Sequence, residues 1–397
     1  MKKKVLRDIE LKGKRTLVRV DFNVPLDRET LAIIDDTRIQ ATLPTIKYLI
    51  QEGAKIILCS HLGRPEGKVV ERLRMAPVAR RLSQILGIPV RTTQDCIGPE
   101  AEAAVAKLND GKVLVLENLG FHPEEQRNDP EFAKALARLA EVYVDDAFGV
   151  AHRAYASNVG VTKYLRAVAG FLLEKEVDTL TKALESPTLP CAAIVGGAKV
   201  KDKIGLLENM MSKVDSLLVG GGMSFAFLKA LKYNVGGLTV PESSVEVAQK
   251  LMERSAEKGV HLLLPVDVVV AKNFDPEAKS RVVSVTEIPP TWQIMDIGSR
   301  TIRIFAAKLR KAKTIIWNGS LGVFEFPRFR SGTTAIIQLL AELNATTFIV
   351  GGSLAEAIEE LGLTHKMTHV STGGGASLRL FEGSPLPGVE ALLNREG

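Results

Sequence analysis

Cysteine is scarce in this chain: three thiols in 397 residues, Cys59, Cys96 and Cys191. An odd, scattered set excludes a disulfide framework, and no spacing among them resembles a zinc site. Each lies in or beside an apolar run, where cysteine behaves as a small buried hydrophobe. No apolar run approaches the roughly 18–20 residues that a bilayer span requires, and the first residues lack the apolar stretch of a secretory signal. The expectation is a cytoplasmic protein with no membrane contact. Charge of one sign is missing too. The 52 Lys and Arg residues interleave with 46 Asp and Glu residues, so the net +6 suits an anionic small substrate as well as nucleic acid. No nucleic-acid module is recognisable, and no repeat at a period of about 20–50 residues points to a solenoid or propeller.

What is present is ordinary globular material: 46% hydrophobic and 25% charged residues. At about 100–200 residues per domain, the length predicts two domains. Short apolar runs alternate with longer amphipathic segments. Strands are expected over 15–20, 55–60 and 113–116, and helices over 36–50, 76–86 and 130–140, the last capped by Asp129. In the first of these helices Ile39, Leu43, Ile46 and Ile50 recur at helical spacing on one face. This is βαβ order, and the continuous apolar strands suit a parallel sheet covered on both faces. A helix over 171–184, followed by Pro187 and Pro190, marks the boundary. A second series of strands follows over 192–195, 216–219, 261–264, 314–317 and 348–350.

The second half carries glycine at the ends of its strands: Gly196-Gly197, Gly220-Gly221-Gly222, Gly319, Gly351-Gly352 and Gly373-Gly374-Gly375. Such loops bring bare N–H groups and helix N-termini towards an anion. Any one of them also reads as a tight strand-to-helix turn; five together favour a nucleotide or phosphate site. None fits G-x-x-x-x-G-K-[ST] or G-x-G-x-x-G, which excludes a Walker-type NTPase and weakens a dehydrogenase. Lys199 and Lys203, four apart on one face of the helix expected there, sit at a helix start where cations are disfavoured unless a phosphate is near. In the first half, Asp21, Asn23, Arg38, the string Ser60-His61-Leu62-Gly63-Arg64-Pro65 and His152-Arg153 cluster at strand ends and helix starts. Arginine and histidine there suit phosphate or carboxylate.

Arg19-Val20-Asp21-Phe22-Asn23-Val24-Pro25, Asp36-Thr37-Arg38-Ile39, the 60–65 string, Asp146-Ala147-Phe148-Gly149, Ala151-His152-Arg153-Ala154, Gly196-Gly197-Ala198-Lys199-Val200, Trp317-Asn318-Gly319, Gly322-Val323-Phe324-Glu325 and Ser371-Thr372-Gly373-Gly374-Gly375-Ala376-Ser377 resemble, in order and over nearly the whole chain, the phosphoglycerate kinase family. The resemblance implies an α/β fold of two doubly wound, Rossmann-like parallel-sheet domains facing across a hinged cleft. It assigns residues 1–170 to phosphoglycerate binding, with about 376–397 packing back on them, 171–189 to an interdomain helix and linker, and 190–375 to nucleotide binding. It implies a monomer of glycolysis that transfers phosphoryl reversibly between 1,3-bisphosphoglycerate with MgADP and 3-phosphoglycerate with MgATP. By its motifs, Asp21, Asn23, Arg38, His61, Arg64 and Arg153 hold the phosphoglycerate. Gly197, Lys199, Lys203, Gly221, Asn318, Gly322, Glu325, Gly351, Gly352 and Ser353 hold ATP or ADP, with Glu325 on the ribose. Arg38, Lys199 and Lys203 neutralise the transferring phosphoryl.

The pattern is broken at two chemically important places. Gly120 replaces an arginine expected at the substrate phosphate. Ser353 and Leu354 replace an aspartate and a hydroxyl residue, leaving the Mg2+ ligand unassigned. Asn318-Gly319-Ser320, Asp296-Ile297-Gly298-Ser299-Arg300 and Tyr155 are milder departures. A charge-assisted phosphate contact is worth about 1.5–3 kcal/mol, and a preorganised electrostatic group roughly 10²–10³ in rate. The expectation is therefore an enzyme of reduced activity, with a non-catalytic binder of the same ligands as the alternative.

Overall fold

The computed structural model describes residues 1–198, 200–371 and 373–395. They form two compact units. One runs from Met1 to Asp178 and resumes at Pro385; the other spans Thr179–Ser384. The division falls inside the helix Phe171–Glu185. The helix Gly375–Phe381 lies in the second unit, where Asn209 Nδ2 donates to Phe381 O at 2.6 Å. Beyond Pro385 the chain is tied to the first unit: Gly388 N donates to Ala151 O at 2.9 Å, Leu393 N to Ala167 O at 3.0 Å, and Arg395 Nε to Asp8 Oδ2 at 2.8 Å.

In the first unit six parallel strands stand in the order Val90–Thr92, Val113–Val115, Lys55–Cys59, Arg15–Arg19, Val142–Asp145, Arg166–Ala169. The central ones are buried almost throughout, as a sheet covered on both faces by crossover helices requires. The helix Thr37–Gln51 lays Ile39, Leu43, Ile46 and Leu49 into this core, while Ile50 is only half-buried. Asp129 caps Pro130–Ala137, its Oδ1 accepting from Glu131 N and Phe132 N at 3.0 Å. Chain order reverses between Arg15–Arg19 and Val142–Asp145. At such a switch point adjacent loops diverge and leave room for a ligand.

The second unit repeats the plan with strands in the order His369–Ser371, Thr346–Val350, Thr314–Asn318, Cys191–Val195, Ser216–Val219, His261–Leu263, again all parallel. Its reversal lies between Cys191–Val195 and Thr314–Asn318. It also carries a sheet that the apolar-run reading missed: Asp267–Ala271 pairs antiparallel with Ser280–Ser284 and Gln293–Ile297. Val268 and Val270 are buried in Asp267–Ala271 and Val269 only partly, the alternation of a sheet covered mainly on one side. Among the described residues no helix is long and apolar enough to cross a membrane.

Candidate active site

At the first switch point the anchoring group is Arg19, the last residue of its strand and fully buried. Its Nε donates to Ser157 Oγ at 2.8 Å, Nη1 to Val20 O at 2.5 Å, and Nη2 lies 3.3 Å from His61 Nδ1. Glu125, buried and 4.0 Å from the guanidinium, accepts from Ser157 N at 2.9 Å and Oγ at 2.5 Å. A buried charge needs this kind of hydrogen-bonded enclosure. Burial first and Arg19 second hold His61 down to about 4, so at neutral pH it offers a neutral imidazole.

Asp21 and Arg38, from the strand end and the first turn of Thr37–Gln51, form an ion pair. A Cβ on Gly149 would fall against Asp21 Oδ2 and lie 3.5 Å from Arg38 Nη1, so the backbone passes close to the pair only as glycine. Asn23 Oδ1 accepts from Gly63 N at 2.8 Å, fixing the 60–65 loop. Asn118 fixes it from the other side, donating to Leu62 O and Leu73 O at 2.8 Å. Arg64 and Arg153 are exposed and form no ion pair among the described residues. Gly120 is buried, and a Cβ there would stand 2.9 Å from Pro65 Cγ. A larger residue at 120 thus requires Pro65 to move.

The second switch point is made of backbone. Gly196 N donates to Asn318 O at 2.8 Å, Gly197 N to Ser320 O at 2.9 Å, and Met223 N to Gly197 O at 2.9 Å. The loops touch so closely that glycine is required for packing alone: a Cβ on Gly221 would lie 2.7 Å from Ser320 O, and one on Gly319 2.6 Å from Gly196 O. Gly322 is pressed against the carboxylate of Asp296 in the same way. Gly351, at φ +119°, needs glycine for its backbone, whereas a Cβ on Gly352 would meet open space.

Lys203 Nζ donates to Gly196 O at 2.6 Å. Val200–Lys203 form a 3-10 turn and the α-helix begins at Ile204, so Lys203 precedes the helix instead of lying on its face. Lys199 lies outside the described residues. Asn318 is buried, its Nδ2 donating to Val350 O at 2.9 Å, and its Oδ1 has no hydrogen-bond partner among the described residues. Glu325 and Ser353 are exposed, while Leu354 is fully buried in the apolar core.

These loops open on a cavity of about 410 Å3. Its lining includes Gly197, Gly221, Gly322 and Ser353 together with Phe225, Leu238, Phe274 and Met295. Asp296 also lines it; burial pushes this carboxyl up to about 7, and its oxygens accept from Ile297 N and Gly332 N at 2.8 Å.

Sequence reasoning missed the groups that hold the site from behind: Arg19 as a buried anchor, Glu125, Ser157, and the buried aspartates Asp146, Asp267 and Asp296. Each aspartate accepts from backbone N–H groups at a helix start, namely Leu172 N at 2.8 Å, Thr301 N at 2.7 Å and Gly332 N at 2.8 Å. A signal existed in the glycine opposite each: a Cβ on Gly170, Gly298 or Gly332 would strike the aspartate.

The family profile described as phosphoglycerate kinase matches residues 6–384. A phosphoglycerate kinase of Moorella thermoacetica is 53% identical over 395 residues, covering 100% of both chains. A cytosolic phosphoglycerate kinase of Nicotiana tabacum is 55% identical over 391 residues, 98% of this chain and 97% of its own. Among solved structures, the phosphoglycerate kinase of Coxiella burnetii superposes with a TM-score of 0.86 at 40% identity, and that of Pyrococcus horikoshii with 0.85 at 33%, each covering 98% of both chains. Nothing in these likenesses favours a slow or non-catalytic relative. The chain belongs to the phosphoglycerate kinase family, and its reaction is phosphoryl transfer to the carboxyl group of 3-phosphoglycerate.

Proposed function

We propose that the first unit binds 3-phosphoglycerate through Asp21, Asn23, Arg38, His61, Arg64 and Arg153, and that the second binds ATP or ADP through its glycine loops, Lys203, Asn318 and Glu325. The observation that carries this reading is a cavity of about 410 Å3 whose lining combines glycine backbone with aromatic and aliphatic side chains. A nucleotide suits that lining, phosphates against N–H groups and a base against apolar walls. Arg38 and Lys203, with Lys199, neutralise the phosphoryl in flight, since this chemistry needs positioning and charge rather than covalent catalysis. His61, neutral, orients the acid by hydrogen bonding. Glu325 holds the ribose.

Mg2+ is held mainly by substrate phosphates and water, with few protein ligands. The residues present fit an ion that arrives with the nucleotide: Ser353, a hydroxyl residue, lines the cavity, and Asn318 Oδ1 is a buried acceptor without a partner among the described residues. Asp296 is a poor ligand because both oxygens already accept backbone N–H groups. Bound with the nucleotide, Mg2+ supplies positive charge at the phosphates. We place the enzyme in the cytoplasm, acting as a monomer; the cytosolic tobacco relative supports the compartment.

Turnover of the purified chain with 3-phosphoglycerate and MgATP tests the assignment. The unaltered chain turns over, and Arg38→Ala and Lys203→Ala each lose roughly 10²–10³ in kcat. Full activity in either variant removes that residue from the reacting centre.

A further inference from the structure

We propose that Asp95, Cys96 and His122 form a site for a divalent transition-metal ion of the zinc class, distinct from the groups assigned to substrate and nucleotide. Among the described residues this is the one group of three or more such side chains whose donor atoms, one from each, all lie within 4.8 Å of one another. Thiolate, imidazole and carboxylate are the donor set of zinc and its neighbours, and three protein ligands leave a fourth position for water.

Cysteine spacing alone could not show the site, because Cys96 and His122 are distant in sequence and meet only through the fold. Asp95 and Cys96 lie in the bend after Val90–Thr92, and His122 precedes the short helix Pro123–Gln126. Two donors are already oriented. His122 Nε2 stands 2.7 Å from Asp95 Oδ1, which also accepts from Cys96 N at 2.6 Å, and the imidazole packs on Phe132 with ring centroids 5.1 Å apart. The Asp95 and His122 side chains are 49% and 25% exposed while Cys96 is buried, so an ion enters between the first two and meets sulfur at the base. Bonds of about 2.0–2.3 Å put tetrahedral donors roughly 3.3–3.8 Å apart. The Asp95–His122 contact therefore opens slightly, and donors already within 4.8 Å of one another need only small shifts.

On binding, a sulfur–metal bond forms and the thiol proton leaves to solvent, while the imidazole proton moves from Nε2 to Nδ1. One proton is released per ion, and affinity strengthens with pH. Burial, with Asp95 next, holds the free thiol well above its ordinary range. Mg2+, which prefers oxygen ligands, does not compete.

The test is titration of the metal-free, full-length chain with Co2+, reading the thiolate-to-cobalt charge-transfer absorption. The expected result is saturation at one Co2+ per chain, reversal by Zn2+ but not by equimolar Mg2+, and loss of the band in Cys96→Ser. Asp95→Asn and His122→Gln weaken binding by at least about 10-fold. No band in the unaltered chain overturns the proposal, as does a band that survives Cys96→Ser and so belongs to Cys59 or Cys191. Should Cys96→Ser fail to fold by circular dichroism, unchanged affinity in the other two variants overturns it equally.

Discussion

In the first unit the strand ends at the switch point carry side chains, with Arg19, Asp21, Arg38 and His61 held by one another and by Glu125 and Ser157. In the second they carry glycine, and the loops hold each other through Gly196, Gly197, Gly221, Gly319 and Ser320. The same doubly wound plan thus presents two kinds of surface. Side chains give directed, charged contacts that suit a small acid. Bare backbone gives a close approach, with the helix start at Gly352 left without a side-chain cap, that suits a polyphosphate. The difference also changes what each region tolerates: a side-chain site loses one contact at a time, whereas an interlocked glycine site fails as a unit.

That contrast can be broken most forcefully at Gly196. A methyl group there falls against the Ser320 and Gly319 carbonyls, backbone groups with no rotamer to relieve the clash. Gly196→Ala is expected to cost about 3 kcal/mol or more, read as a lowered urea midpoint. Gly352→Ala, facing open space, is expected to change it by less than about 0.5 kcal/mol. Equal effects would show that the glycines are not there for packing.

Restoring the family's hydroxyl at 354 has the next largest effect. Leu354 is fully buried in the core of the second unit, so Leu354→Thr removes apolar volume and buries a hydroxyl, at about 2–4 kcal/mol. Denaturant unfolding checks it, and a neutral result would mean that the core has room for a polar residue there.

A smaller, pH-dependent effect belongs to Asp146, which caps Phe171–Glu185 through Leu172 N at 2.8 Å and Leu173 N at 3.3 Å. Burial pushes this carboxyl from 3.8 up to about 7. The folded state therefore binds its proton more tightly than the unfolded chain does. The resulting stability is present below about pH 4 and is lost as pH rises through about 7. Asp146→Asn keeps a capping oxygen and removes the titration. Relative to the unaltered chain, the variant should gain on the order of 1–3 kcal/mol between pH 4.5 and 7.5. His61, held down to about 4, acts with the opposite sign between about 6.5 and 4 in both proteins and cancels in the difference. No change in the difference across that range would mean that Asp146 titrates normally.

Much of this architecture is legible from apolar runs and turn residues. The strands at Lys55–Cys59 and Ser216–Val219, the helix Ala76–Leu86 and the cap at Asp129 lie where periodicity puts them, to within a residue. The three-stranded antiparallel sheet was not legible, because Ser280–Ser284 is largely exposed and carries little apolar signal. Nor was the neutral state of His61, which depends on burial beside Arg19, a residue that reads as one more strand cation. The glycine loops were legible as loops but only half-read. Gly196, Gly221 and Gly319 answer first to one another's backbone, a tertiary constraint that spacing does not reveal.

Calorimetric titration of the full-length chain with each ligand alone tests the division of labour most directly. Arg38→Ala should weaken 3-phosphoglycerate by roughly 10–150-fold, the worth of a charge-assisted contact, and leave MgATP affinity within about twofold. Lys203→Ala should do the reverse. Loss of MgATP affinity in Arg38→Ala, or of 3-phosphoglycerate affinity in Lys203→Ala, with both variants folded, would contradict the assignment of one ligand to each unit.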